Sequence, residues 1–91
     1  MIFNRHLVNL IFEIRTKTSI TRKTQTVYES SLGYFIAMRF LRKYNIIKEA
    51  GKTDDNLKIW TLTAKGYVLY EHLKSIRVLL EESNGKDTIL S

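Results

Sequence analysis

The sequence predicts an α+β domain in which helices precede and follow a single β-hairpin. Three observations carry this. Apolar residues recur at helical spacing in 3–17, 32–44 and 64–82; two strand-like runs, IIKEA and LKIWTLT, flank the turn-forming GKTDDN; and 91 residues without Cys suffice for one core and no disulfide framework.

The first helix is expected over 3–17, where Phe3, Leu7, Leu10, Ile11 and Ile14 are spaced by three and four and Asn4 can cap the start. These apolar runs are interrupted by Asn4, Arg5, His6, Asn9 and Glu13, so the segment reads as part of the fold and not as a leader or membrane span. TKTSI is a polar, β-branched connection with two residues of strand at Ser19 and Ile20. A short second helix is expected over 21–30, capped by Thr21, with Val27 and Tyr28 turned inward, although Thr is a poor helix former.

Ser30 and Ser31 then offer hydroxyls to a new helix start, and a third helix is expected over 32–44. At 100° per residue, Leu32, Tyr34, Ile36, Ala37, Phe40, Leu41 and Tyr44 share one wide arc, while Arg39, Arg42 and Lys43 lie opposite. Asn45 tolerates the left-handed conformation of a helix C-terminus. After the hairpin, Thr63 can cap a last helix over 64–82, with Leu69, Leu73, Ile76 and Leu80 spaced four, three and four; residues 83–91 read as a flexible tail. One domain, 1–82, is therefore expected.

Charge placement narrows the partner. Residues 1–66 carry 12 Lys/Arg against 5 Asp/Glu, and residues 67–91 carry 3 against 4. A basic field confined to the part before the last helix favours a polyanion, with nucleic acid ahead of a membrane because no single helix is both strongly basic and strongly amphipathic. Helix, short extended piece, helix, turn, helix, hairpin, helix is the order of a winged helix-turn-helix: a three-helix core, a two-stranded wing and a C-terminal dimerisation helix.

The residues TVYESSLGYFIAMRFLRKYNIIKE followed by WTLTAKG resemble the archaeal winged-helix family typified by the Sso10a DNA-binding proteins. In that family a Tyr ends helix two, Leu and Tyr open the recognition helix, an apolar stripe follows, and a strand leads through the wing to a Leu-Thr-x-Lys-Gly helix start. The matching positions are Tyr28; Leu32, Tyr34, Ile36, Ala37, Phe40, Leu41 and Tyr44; Ile46 and Ile47; and Leu62, Thr63, Lys65 and Gly66, and the likeness runs from Leu7 to Leu80. It implies a homodimer through the last helix and binding of duplex DNA. With the use of Lys, Ile and Tyr, it also points to a thermophilic archaeon or one of its viruses and to a cytoplasmic, DNA-associated protein. Asn45 replaces the family's usual Gly, and Phe35 and Met38 stand where the family tends to be polar or basic.

On this reading Arg39, Arg42 and Lys43 contact phosphate or base edges, with Ser31, Phe35, Arg39 and Arg42 in one line along the helix. Arg22, Lys23 and Thr24, with Ser30 at the turn and Arg15 and Lys17 just upstream, anchor the phosphate backbone, and Lys52, Asn56 and Lys58 reach from the wing. Asp54 and Asp55 at its tip oppose that approach and are too isolated for a metal site. Three fates are open to Phe35: packing on a thymine methyl, covering a partner protein, or partial burial. Trp60 is expected as a core-edge anchor. His6 and His72 lie 66 residues apart, with no nucleophile elbow or nucleotide-binding glycine loop, so neither catalysis, a cofactor, a metal nor a small-molecule substrate is expected. The function so read is a dimeric transcriptional regulator; the alternatives are an architectural DNA-binding protein and a winged-helix protein-interaction module.

Overall fold

A computed structural model describes residues 4–90, and the side chains of residues 4–81. Among them are three helices and one two-stranded antiparallel sheet, in the order α1 (Arg5–Lys17), α2 (Ser31–Lys43), β1 (Ile47–Lys52), β2 (Lys58–Leu62) and α3 (Ala64–Leu90). Phe3, the first member of the apolar spacing, lies outside the described residues.

The caps expected from sequence form. Asn4 Oδ1 accepts from the Leu7 amide at 2.9 Å, and Ser30 Oγ accepts from the Gly33 amide at 3.0 Å. Asn45 adopts φ 58°, and the Ile46 amide reaches back to the Leu41 carbonyl at 2.9 Å, closing α2 with the six-to-one bond of a left-handed helix end. Thr63 Oγ1 accepts from the Gly66 amide at 3.0 Å, and the same hydroxyl donates to the Asn45 carbonyl, tying the start of α3 to the end of α2.

Residues 21–30 do not form the expected second helix. A single turn at 22–24 is followed by an irregular approach to Ser30. The reason is local competition for the backbone. Thr21 and Thr24 exchange side chain to backbone bonds, Thr24 Oγ1 accepting from the Thr21 amide at 2.8 Å and Thr21 Oγ1 from the Thr24 amide at 3.2 Å. Gln25 Oε1 then takes the amides of Val27 and Tyr28, and the Glu13 carboxylate of α1 takes the amide and hydroxyl of Thr26. Amides bonded in this way do not need a helical ladder.

The core is shared by α1 (Leu7, Leu10, Ile11, Ile14), α2 (Tyr34, Ala37, Met38, Leu41), the hairpin and its approach (Ile46, Ile47, Trp60, Leu62), and Ile20. Ile20 and Trp60 form an isolated antiparallel bridge, so the expected strand residue before the second helix position does join the sheet. A bulge between Glu49 and Gly51 shifts the hairpin register, leaving Ala50 without a partner.

Two further expectations change. The buried arc of α2 is Tyr34, Ala37, Met38 and Leu41, whereas Leu32 and Ile36, placed inward by the sequence, are 70% and 61% exposed. Apolar side chains occupy so much of this helix that periodicity does not choose the face; the packed position of α1 and the hairpin does. The last helix also runs beyond Glu82 to Leu90, where a flexible tail was expected, and residues 74–81 are all exposed.

Candidate nucleic-acid interface

The C-terminal half of α2 and the hairpin face each other across a cleft of about 520 Å³. Arg39 and Arg42 project from α2 and Lys58 from the first residue of β2, while Arg22 enters from the turn after Ile20. Phe35, Met38 and Trp60 supply the apolar wall; Tyr34 lies beneath, and Asn56 and Leu57 close the hairpin side. Among the described residues, no carboxylate lies within ion-pair distance of these four cations, the ion pairs being Glu13–Lys17, Lys23–Asp55 and Arg77–Glu81.

Trp60 organises the cationic side of the cleft. Its ring is buried, the Arg42 guanidinium carbon stands 5.2 Å from the ring centroid and Lys58 Nζ stands 6.0 Å from it. Both cations are thereby held by one aromatic ring without being neutralised. Phe35 is 54% exposed at the mouth and meets Tyr34 edge to face at 5.6 Å. Tyr34 itself is 2% exposed, and its hydroxyl has no hydrogen-bond partner among the described residues. Burial pushes that phenol up to about 12, opposed by the positive charge of Arg22.

Of the residues read from sequence as DNA contacts, Arg22, Phe35, Arg39, Arg42, Asn56 and Lys58 come together here. Lys23 pairs with Asp55 of the hairpin tip at 3.5 Å, both side chains being largely exposed. Thr24 is held in its turn and Ser30 in the cap of α2, while Ser31 and Lys52 are exposed outside the cleft. Lys43 lies over the Tyr44 ring at 5.6 Å. Arg15 and Lys17 face elsewhere: the Arg15 guanidinium carbon sits 5.6 and 5.5 Å from the centroids of Tyr67 and Tyr70, and Lys17 joins Glu13 and the Thr24 carbonyl.

The sequence reading missed Tyr34, Met38, Leu57 and Trp60 as lining residues. One signal was present: Tyr34, Met38 and Arg42 recur every four residues, which places them along one edge of the helix. Met38, which stands where the resembling family tends to be polar or basic, is 3% exposed and belongs to the core.

The four residues assigned to dimerisation divide into two pairs. Leu69 and Leu73 pack against the core, alongside an edge-to-face contact of Phe12 and Tyr70 at 5.2 Å. Ile76 and Leu80 are 53% and 59% exposed, with Val78 and Leu79 beside them.

Among the described residues no helix is long and apolar enough to cross a membrane, and no group of His, Cys, Asp and Glu is placed to hold a metal ion. Compared with protein-family models, curated proteins and solved structures, the chain matches none of them.

Proposed function

We propose that this chain is a winged-helix double-stranded DNA-binding protein acting as a dimeric transcriptional regulator. The observation that carries the proposal is the convergence of Arg22, Arg39, Arg42 and Lys58, from three separate parts of the chain, on one carboxylate-free cleft beside α2. A group of cations converging on one surface is what a phosphate backbone requires. In this reading α2 is the recognition helix, the hairpin is the wing, the turn at 22–24 takes the place of helix two, and the exposed Ile76 and Leu80 stripe joins two copies.

A second reading draws on the N-terminal half of α2. Leu32, Phe35 and Ile36 are all exposed there, where a base-reading helix carries polar side chains. Phosphate anchoring is accordingly better supported than base reading, which favours an architectural protein of little sequence preference; the same apolar group is what a protein-interaction module would present.

Selection of bound sequences from random duplex DNA, combined with salt titration, separates these. A regulator enriches one motif, an architectural protein binds without enrichment, and in both cases affinity falls steeply with salt. Absent or salt-insensitive binding would sink the DNA proposal.

A further inference from the structure

A duplex backbone uses the cations of the α2–hairpin cleft but has no use for the rest of it. At about 520 Å³ the cleft falls within the range of roughly 300–1,000 Å³ typical of small-molecule pockets. One side is cationic; another is an apolar wall formed by Met38 and the half-exposed Phe35. Beneath them, Tyr34 keeps a buried hydroxyl that no described protein group satisfies. Such a hydroxyl costs folding free energy that a Phe of nearly the same shape would not. It is therefore the part of the lining that the fold itself leaves unused.

A ligand that answers all three features is planar, anionic and able to hydrogen-bond at its edge. We infer that the cleft seats one unpaired nucleotide unit, its base against Phe35, its phosphate between Arg39 and Arg42, and a base-edge polar atom on the Tyr34 hydroxyl, which is closed to solvent in the free protein and is reached only as the side chains around it move aside. Inorganic phosphate satisfies only the cations, and a purely apolar molecule only the wall. The unit can come from a free nucleotide or from an unpaired residue of a strand. The inference goes beyond the duplex reading and does not require it, because the free nucleotide is a complete ligand by this chemistry.

Trp60 is the sole tryptophan and lies in the cleft, so its emission reports occupancy. The full chain is titrated with a nucleoside 5′-monophosphate, with inorganic phosphate, with a blunt duplex, and with the same duplex carrying one unpaired 3′ nucleotide. The expected result is a saturable response to the nucleoside monophosphate that inorganic phosphate does not reproduce. Tyr34→Phe should weaken that response about fivefold, the equivalent of one hydrogen bond. Phe35→Ala should weaken it as well. Preference for the overhang over the blunt duplex identifies a strand as the source, and its absence, with the monophosphate still bound, identifies the free nucleotide. If inorganic phosphate matches the monophosphate, or Tyr34→Phe binds it as well as the parent, the inference is overturned, whatever the blunt duplex does. Loss of blunt duplex binding alone overturns the duplex proposal and leaves this one standing.

Discussion

A β-carbon on residue 66 would stand 2.2 Å from the carbonyl oxygen of Ile46. That oxygen accepts from the Thr63 amide at 3.0 Å, so the first turn of α3 rests directly on the chain leaving α2. The contact is backbone against backbone and has no flexible side chain to yield. Gly66→Ala is expected to lower stability by on the order of 3 kcal/mol, the upper range for overpacking. At Gly33 the nearest atoms to an added methyl belong to the Tyr28 and Ser30 side chains, at 3.1 and 3.2 Å, so Gly33→Ala should cost much less. Urea unfolding of the two variants checks the order; equal midpoints would contradict it.

Glu13 provides a pH-dependent tie between α1 and the segment that replaces the second helix. Its side chain is 7% exposed. Burial raises its pKa, but the bonds from Lys17 and Thr26 outweigh that, and the net result lies below the ordinary 4.5. A carboxylate with a lowered folded pKa stabilises fully above the unfolded value and loses that contribution as pH falls through the folded one. Glu13→Gln should therefore cost about 1–2 kcal/mol at neutral pH. The gap between parent and variant should shrink as pH is lowered below 4.5. Denaturant unfolding at pH 7 and pH 3 measures it, and a gap that does not change with pH would refute the assignment.

What was legible in the sequence was local. Asn4, Ser30, Asn45 and Thr63 each act within a few residues of themselves, and each does what its chemistry predicts. The hairpin followed from its turn residues in the same way. The 21–30 segment was not legible because its amides are claimed by side chains, one of them on Glu13, thirteen residues away from Thr26. The inward face of α2 was not legible because Leu32 and Ile36 are as apolar as Met38 and Leu41, and only the docked α1 and hairpin choose between them. The cleft depended on that choice, since Tyr34, Met38 and Arg42 point to it only once the helix has been rotated to its packed orientation.

The two pairs of α3 residues should separate experimentally. Leu69 and Leu73 are half-buried against the core, so truncating either to Ala should cost about 1–2 kcal/mol, below the 2–5 of a fully buried Leu. Ile76 and Leu80 contribute little to that core. Ile76→Glu with Leu80→Glu should leave unfolding of the subunit nearly unchanged while shifting the sedimentation of the protein from dimer to monomer. A parent chain that sediments as a monomer at high micromolar concentration would reject the dimer, and an unshifted double variant would move its interface elsewhere.

Arg39 and Arg42 both line the cleft, but only Arg42 is held over Trp60. If both contact phosphate, each Ala substitution should weaken duplex binding across all sequences and reduce the slope of log affinity against log salt by about 1. Arg42→Ala should do something more: it removes a cation–π contact worth about 0.5–1 kcal/mol and uncovers one face of the indole, so Trp60 emission should change before any DNA is added. Arg39→Ala should leave the emission of the free protein as it is. Fluorescence of the unbound variants, followed by binding at several salt concentrations, tests both halves. Unchanged salt slopes in both variants would remove α2 from the DNA interface, and identical free-state emission in Arg42→Ala would show that the stacked arrangement does not persist in solution.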